Sequence, residues 1–228
     1  MEATADQDDV FIRSEADRYF ERNKSALTSA DWSLDLPLRL IDLYKLQPRS
    51  VVEVGAANGF RVATIAERFG ARVVAVEPSA QAIADGKRRF PDVQFIQSLA
   101  NEIPLQERFD LAIVNFVLHW VARDTLLKSV AEIDRLVVDG GFLIVGDFAA
   151  TNQLRVKYHH LPNQEVYTYK QNYAAVFLAS GIYHMVAAVT SGHAATFVSA
   201  DTSEHERIGA WLLQKRLAEH YVPASAAR

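Results

Sequence analysis

The sequence predicts an α/β fold built on a mostly parallel sheet, and two observations predict it. Short runs rich in Val and Ile, typical of strands covered on both faces, recur along the first two thirds of the chain. Helical patterns separate these runs, which predicts crossover helices between parallel strands. The five predicted strands are residues 51–54, 72–76, 93–96, 111–115 and 142–146.

Helical patterns occupy the intervals between these strands and both flanks. The three that lie between strands are residues 58–69, 80–89 and 125–136. Two amphipathic helices are predicted before the first strand, at residues 14–27 and 36–46, and an apolar helix is predicted to end near Ser180-Gly181. The chain is then predicted to close with a hairpin of residues 184–190 and 194–200 and a final helix of residues 204–220.

Length and composition indicate one domain over residues 1–228. Half of the 228 residues are hydrophobic, which is enough for one sizeable core. The net charge is -4 and the chain has no basic stripe, so we expect no nucleic-acid partner. The absence of cysteine excludes disulfides, thiolate nucleophiles and Cys-ligated zinc.

No segment has the character of a membrane or export sequence. The first ten residues are rich in Asp and lack the basic start and apolar core of a signal peptide. No run reaches the roughly 18 apolar residues of a membrane span. We therefore expect a cytoplasmic protein without a membrane partner.

The stretch VVEVGAANGF, residues 51–60, runs a buried strand into a turn with two glycines. Glycine weakens the ends of regular elements, so Gly55 and Gly59 suggest that a ligand approaches the backbone there. A dinucleotide-binding loop usually has G-x-G-x-x-G spacing, whereas this loop has G-x-x-x-G. A tight strand-to-helix turn without a ligand is the alternative.

The second strand ends at Glu77, about 20 residues past the glycine loop. A carboxylate at this point can accept hydrogen bonds from a ribose diol, and it would repel a 2′-phosphate. The loop and Glu77 together therefore indicate an adenosine-type cofactor without a pyrophosphate.

From about residue 50 to residue 148 the chain resembles the class I S-adenosylmethionine-dependent methyltransferases. EVGAANG is similar to the family's first motif, VEPSAQAI to its acidic second motif, and SLANEIP to the segment that borders adenine. FDLAIVNFVLHW resembles the fourth-strand motif beside the methyl donor, and LVVDGGFLIVGDF resembles the fifth-strand motif. The flanks EADRYFERNK and YTYKQNY are similar to a narrower group of bacterial small-molecule methyltransferases.

The resemblance implies a Rossmann-like class I methyltransferase fold, with a seven-stranded, mostly parallel sheet, helices on both faces and a C-terminal antiparallel hairpin. It implies S-adenosyl-L-methionine as the cofactor. Glu53 is expected to orient the loop or the methionine amino group, and Leu99 stands where many members carry an acidic or polar residue that reads the adenine amine. The implied cofactor-binding residues are Glu53, Gly55, Ala56, Asn58, Gly59, Glu77, Pro78, Ser79, Leu99, Ala100, Asn115, Phe116 and Trp120.

His119 is the candidate general base, because an imidazole can accept a proton near neutral pH. It follows Asn115 at the carboxyl end of the fourth strand, where ligands of open α/β sheets bind. The alternative is that His119 only packs over the cofactor or hydrogen-bonds it. Trp120 can place its ring face near the sulfonium, with core packing as the alternative.

The acceptor is expected to meet the polar and aromatic segment after the fifth strand, because that segment emerges at the same sheet edge as His119. The adjacent His159 and His160 are expected to point to different sides of an extended chain, so we expect no metal site there. The predicted acceptor-binding residues are Arg22, Tyr158, His159, His160, Tyr169, Lys170 and Tyr173.

Three of these residues have structural alternatives. Arg22 is expected to close over the acceptor from the N-terminal helices, and a solvated helix charge is its alternative. Tyr169 and Tyr173, four residues apart, are alternatively anchors that hold a helix against the sheet.

These observations predict methyl transfer to a hydroxyl, or to an amine, of a small molecule such as a sugar or natural-product intermediate. The chain then divides into an N-terminal helical cap (1–48), a cofactor-binding core (49–148) and an acceptor-facing segment with the closing hairpin and helix (149–228). An NAD(P)-dependent reductase is disfavoured by the glycine spacing. A cofactor-binding regulatory or assembly partner that does not catalyse stays open.

Overall fold

The structure is a computed structural model that describes residues 7–27, 31–192, 202–203, 205–217 and 221. Its strands are β1 (Ser50–Val54), β2 (Arg72–Glu77), β3 (Gln94–Gln97), β4 (Phe109–Asn115), β5 (Val137–Phe148), β6 (Leu154–Lys157), β7 (Tyr167–Lys170), β8 (Tyr183–Gly192) and β9 (Arg207–Lys215). The main sheet has seven strands in the order β3-β2-β1-β4-β5-β9-β8. β1 to β5 are parallel, and β9 lies antiparallel between β5 and β8. The predicted seven-stranded, mostly parallel sheet is confirmed.

The helices are α1 (Gln7–Val10), α2 (Ala16–Asn23), α3 (Leu36–Leu43), α4 (Phe60–Phe69), α5 (Ala80–Arg89), α6 (Leu126–Arg135) and α7 (Ala174–Ala179). A π-helical turn, Phe11–Glu15, joins α1 to α2. The three helices predicted between strands are confirmed to within two residues at each end. None of the helices in the described ranges is long and apolar enough to cross a membrane.

Strand residues alternate between two hydrophobic cores, one on each face of the main sheet. Val51 of β1 packs with residues of α3 and α4, whereas Val52 packs in the core that includes residues of α6 and α7. This alternation follows from the two-residue repeat of a strand. Glu53 therefore falls on the same side as Val51, beside α4.

A second, two-stranded sheet stands at the carboxyl edge of the main one. β6 and β7 pair antiparallel within the segment that the sequence showed only as polar and aromatic. The backbone N–H of Tyr169 in β7 donates a hydrogen bond to the carbonyl of His119 at 2.8 Å. The hairpin is thereby fastened to the loop that follows β4.

The predicted final helix of residues 204–220 is wrong where the structure describes this segment. β9 inserts there between β5 and β8, and its residues 209–213 are all buried. A strand covered on both faces has a continuous apolar run, which periodicity alone does not distinguish from a buried helix. The hairpin strand predicted at residues 194–200 lies outside the described residues.

Candidate active site

A cavity of about 440 Å³ lies at the carboxyl edge of the parallel strands. The loops after β1, β2, β4 and β5 line it, together with the N-terminal helical segment and the β6–β7 hairpin. Ligands of open α/β sheets bind at this edge, and the volume suits a small organic ligand. The predicted site residues that line the cavity are Arg22, Gly55, Ala56, Glu77, Pro78, Leu99, Ala100, Asn115, Phe116, His119, Trp120, Tyr158, His159, His160 and Lys170.

The loop's own geometry requires Gly55 and Gly59. Both have a positive φ, +74° and +75°, which favours glycine. A Cβ at Gly55 would lie 2.2 Å from Cγ2 of Val117, and one at Gly59 would lie 2.8 Å from Cζ of Phe95. Backbone conformation and internal packing therefore require glycine at both positions, whether or not a ligand approaches the loop. Only Gly55 of the two lines the cavity.

Glu77 ends β2 with its side chain buried at the cavity wall. Its Oε2 accepts a hydrogen bond from the backbone N–H of Ala57 at 2.8 Å, and its Oε1 accepts one from Ser79 at 2.9 Å. Burial raises the pKa of Glu77 to about 7, although the two hydrogen bonds lower it. The carboxylate thus bridges the loops after β1 and β2, where a ribose diol could donate to it.

Asn58 and Ser79, both predicted to bind cofactor, do not line the cavity and instead hold neighbouring segments together. Asn58 Nδ2 donates to the carbonyl of Leu27 at 2.9 Å and to Asp85 at 3.0 Å. Ser79 caps α5, and its Oγ donates to Asp17 of α2 at 2.6 Å. Their contacts tie the N-terminal segment to the cofactor-side loops.

Glu53 is completely buried and forms an ion pair with Arg61 of α4. Arg61 Nη2 also lies 2.9 Å from Oδ2 of Asp35. Burial raises the pKa of Glu53 to about 7, while Arg61 lowers it. Arg61 lines the cavity and Glu53 does not. A direct contact of Glu53 with a methionine amino group does not fit this arrangement, in which Glu53 reaches the cavity through Arg61.

His119 lines the cavity just beyond the end of β4. Its Nδ1 lies 3.0 Å from Oδ1 of Asp147, a completely buried residue near the end of β5. Asp147 Oδ2 accepts a hydrogen bond from the backbone N–H of His119 at 3.2 Å. The ring contact is close but not aligned as a hydrogen bond. A carboxylate at this distance favours a proton on Nδ1, which leaves Nε2 as the proton acceptor.

Aromatic side chains pack around the same cavity. Trp120 is largely buried, and its ring lies 4.9 Å from that of Phe11 and 4.6 Å from that of Tyr158, between centroids. This environment is that of a packed core residue that also borders the cavity. Phe116 has a φ of +56°, a strained value for a bulky residue of the kind that clusters at functional sites.

The β6–β7 hairpin presents Tyr158, His159, His160 and Lys170 to the cavity. The predicted divergence of the two histidines is wrong, because they lie in a turn and their ring centroids are 3.9 Å apart. Arg22 reaches this wall from α2, where its Nη2 donates to the Tyr158 hydroxyl at 2.9 Å. Within the described ranges, no group of three or more His, Asp or Glu side chains could hold a metal ion.

Tyr169 and Tyr173 lie behind the hairpin wall rather than in it. Tyr173 is completely buried, and its hydroxyl donates to the Tyr169 carbonyl at 2.6 Å and accepts from Arg123 Nη1 at 2.9 Å. The Arg123 guanidinium lies 4.2 Å from the centroid of the Tyr169 ring. The predicted acceptor contacts do not fit these positions, which match the alternative that the two tyrosines anchor α7.

Sequence reasoning missed Asp147, Arg61 and two aromatic residues of α2 that line the cavity, Tyr19 and Phe20. The signal for Asp147 was its place directly after the predicted fifth strand, at the same sheet edge as His119. Arg61 has no local signal, because a cation in the first turns of a helix usually faces solvent. Tyr19 and Phe20 had only the pattern of an amphipathic helix.

The sheet order, the cavity at its carboxyl edge and the carboxylate that ends β2 define a class I methyltransferase fold. The residues present fit S-adenosylmethionine. Glu77 lines the cavity with a carboxylate that could accept hydrogen bonds from a ribose, and Ala56 and Ala100 line it without bulky side chains.

Residues 52–145 match the protein family described as "Methyltransferase domain". A demethylmenaquinone methyltransferase of Renibacterium salmoninarum is 34% identical over 113 residues, covering 44% of this chain and 47% of the relative. The same enzyme of Beutenbergia cavernae is 31% identical over 100 residues, covering 43% of this chain and 40% of the relative. The matched stretch thus spans less than half the length of each curated relative.

Solved structures resemble almost the whole chain. The 1,6-didemethyltoxoflavin-N1-methyltransferase of Burkholderia thailandensis, solved with S-adenosylhomocysteine, has a TM-score of 0.71 at 17% identity and covers 95% of this chain and 93% of its own. The N-methyltransferase NodS of Bradyrhizobium japonicum, also solved with S-adenosylhomocysteine, has a TM-score of 0.60 at 16% identity, covering 88% and 98%. Residues 52–145 are thus similar to a methyltransferase domain, and the likeness to these solved structures shows a class I methyltransferase fold.

Proposed function

We propose that this protein transfers a methyl group from S-adenosylmethionine to a hydroxyl of a small molecule, with an amine as the second acceptor type. A sugar or a natural-product intermediate is the acceptor that we propose. The observation that carries the proposal is His119, which lines the cavity with the buried Asp147 beside its Nδ1.

His119 supplies the proton acceptor that a hydroxyl requires. The oxygen loses its proton as it gains the methyl group, and a positioned imidazole can take that proton near neutral pH. With a proton on Nδ1 facing Asp147, the lone pair of Nε2 is the one that accepts. An amine acceptor would lose its proton by the same route.

Alignment is the other task of the chain. Bound S-adenosylmethionine supplies an electrophilic methyl group on its sulfonium. Glu77 holds the ribose in this proposal, and the hairpin wall places the acceptor in line with the methyl group. Positioning of this kind can contribute roughly 7 to 11 kcal/mol in favourable cases. Phe116, Trp120 and Phe148 give the cavity apolar surface that excludes water.

The names of similar proteins support a small acceptor. Two curated relatives are named for demethylmenaquinone, and two structural neighbours are named as N-methyltransferases. The first pair favours a small organic molecule over a macromolecule. The second pair is the reason that an amine remains in the proposal.

Incubation of the purified protein with labelled S-adenosylmethionine and pools of hydroxyl- or amine-bearing acceptors tests the proposal. We expect label in at least one small-molecule pool, and a much lower rate with His119→Ala. Calorimetry on the same samples measures cofactor binding separately. Cofactor binding without transfer to any pool would favour the non-catalytic binding protein instead.

A further inference from the structure

In the described part of the chain four cationic side chains line the cavity, and three of them are ion-paired with carboxylates. The fourth, Lys170, has no carboxylate within ion-pair distance among the described residues. The paired cations are Arg22 with Glu15, Arg61 with Glu53 and Asp35, and Lys157 with Glu165.

The surroundings of Lys170 leave its charge incompletely balanced. Its Nζ donates to the carbonyl of His205 at 2.9 Å and lies 3.9 Å from the centroid of the Phe148 ring. Burial lowers the pKa of Lys170, while Asp147 and Glu206 raise it from beyond contact distance. A partly buried ammonium with no carboxylate in contact is only partly compensated, and an anion beside it would reduce that cost.

Charge is also unevenly distributed around the cavity. The acidic residues that line it within the described ranges are Asp8 and Glu77. Asp8 accepts a hydrogen bond from the backbone N–H of Ala122 at 2.9 Å, and Glu77 belongs to the ribose position. The hairpin wall that holds Lys170 carries two histidines and a second lysine instead. Among the described residues of this wall that line the cavity there is therefore no carboxylate that could pair with Lys170 or repel an anionic acceptor.

The Phe148 ring contacts both Lys170 and His119, the proposed base. Its ring centroid lies 5.1 Å from that of His119, and the Lys170 ammonium lies over the same ring. A flat acceptor in this corner could reach both residues at once. Phe116, Trp120 and Tyr158 line the remaining walls with aromatic surface.

We propose that Lys170 binds an anionic group of the acceptor, and that the acceptor is a flat, ring-containing molecule that carries a carboxylate or a phosphate. The anionic group lies at Lys170 and the methylated hydroxyl lies toward His119. This inference rests on the proposed function, because it names the chemical class of the acceptor.

The test uses the full chain saturated with S-adenosylhomocysteine and three probes, 4-hydroxybenzoate, 4-hydroxybenzamide and phenyl phosphate. The benzoate and the benzamide have nearly the same size and differ in charge. We expect the better of the two anions to bind about tenfold tighter than the amide, as a charge-assisted hydrogen bond predicts. The two anionic probes distinguish a carboxylate site from a phosphate site.

Lys170→Met should reduce that preference to within about twofold, because Met keeps the apolar stem and removes the charge. Lys157→Met is the matched control and should keep the preference, since the Lys157 ammonium already pairs with Glu165 at 3.0 Å. Equal binding of all three probes by the unmodified chain, or an unchanged preference in Lys170→Met, would overturn the proposal.

The comparison of the two anionic probes with the benzamide on the unmodified chain needs no variant, so it decides the proposal even where a variant fails to fold. The absence of binding by both anionic probes would count against it equally. Cofactor binding is measured first on the same sample. Loss of S-adenosylhomocysteine binding would overturn the proposed function and this inference together, whereas binding without an anion preference would overturn this inference alone.

Discussion

Asp147 contacts His119 twice, once at the backbone and once at the ring. Its Oδ2 accepts from the His119 N–H at 3.2 Å, and its Oδ1 lies 3.0 Å from Nδ1. One buried carboxylate therefore holds the backbone of His119 by a hydrogen bond and lies beside its ring. Because Asp147 is not among the residues that line the cavity, any effect of Asp147 on an acceptor would pass through His119.

His119→Ala should lower turnover at neutral pH by roughly 10²-fold, which is the usual contribution of a general base. Cofactor affinity should change by less than about twofold, and raising the pH should restore part of the rate. Steady-state kinetics and calorimetry on one preparation measure both quantities. Equal losses of turnover and cofactor binding would assign His119 to packing.

Asp147→Asn should lower turnover by about tenfold or more while cofactor affinity stays nearly constant, because the amide no longer favours a proton on Nδ1. The pH–rate profile should shift in this variant, which a purely structural role would not produce. The double variant with His119→Ala should be no slower than His119→Ala alone, since the carboxylate acts through the ring. Additive losses would contradict a shared role.

The sequence allowed prediction of the elements whose signal is local. β1 to β5 and their crossover helices have Val- and Ile-rich runs, caps and glycines, so their bounds were predicted within two residues, except that β5 begins at Val137, five residues before the predicted start. β9 was missed because a central antiparallel strand and a buried helix share one apolar pattern. The β6–β7 hairpin was missed because its tyrosines and charges also suit a loop.

The position of a residue at the cavity was predictable where motif and sheet edge coincide, as at Glu77 and His119. It was not predictable where a side chain depends on a distant partner. Glu53 pairs with Arg61 instead of lining the cavity, and Tyr173 is buried where its hydroxyl accepts a hydrogen bond from Arg123. Neither partner follows from spacing, because both contacts depend on how the chain packs in three dimensions.

Cofactor affinity should fall by about 30-fold between about pH 8 and about pH 5.5, and Glu77 supplies the reason. Burial raises the pKa of Glu77 to about 7, so the free protein holds a proton there at acidic pH. If the ribose hydroxyls donate to the ionised carboxylate, as we propose, binding must displace that proton below pH 7. Calorimetry across this range measures the effect.

Glu77→Gln is the control for this pH dependence. It should bind cofactor about 1 to 3 kcal/mol more weakly at pH 8, the cost of losing charge-assisted hydrogen bonds. Its affinity should then be nearly independent of pH. A pH dependence that persists in Glu77→Gln would point to Glu53, whose pKa burial also raises to about 7.

Gly55→Ala should destabilise the fold through two separate effects. The φ of +74° costs a non-glycine residue about 1 to 2 kcal/mol, and the new Cβ would lie 2.2 Å from Cγ2 of Val117, which adds about 1 to 3 kcal/mol. Gly140→Ala isolates the first effect, because Gly140 has a φ of +78° and no atom within 4 Å of an added Cβ. Denaturant unfolding of both variants measures the difference.

Adding Val117→Ala to Gly55→Ala should relieve the clash but not the backbone strain. The double variant should therefore approach the loss of unfolding free energy that is measured for Gly140→Ala. Full recovery would mean that φ does not limit this position. A loss in Gly55→Ala no larger than in Gly140→Ala would mean that the loop relaxes around Val117.

Variants of His160 and Tyr173 distinguish a residue that lines the cavity from one that lies behind its wall. His160→Ala should raise the acceptor KM several-fold and leave cofactor affinity within about twofold, because His160 lines the cavity on the hairpin side. Tyr173→Phe should leave the acceptor KM unchanged and lower the free energy of unfolding by about 1 to 3 kcal/mol. The buried hydroxyl joins the Tyr169 carbonyl to Arg123, and its loss leaves both without that partner.

Kinetics with the acceptor found in the labelling assay, together with denaturant unfolding, measures both variants. A raised KM in Tyr173→Phe at unchanged stability would instead place Tyr173 in contact with the acceptor.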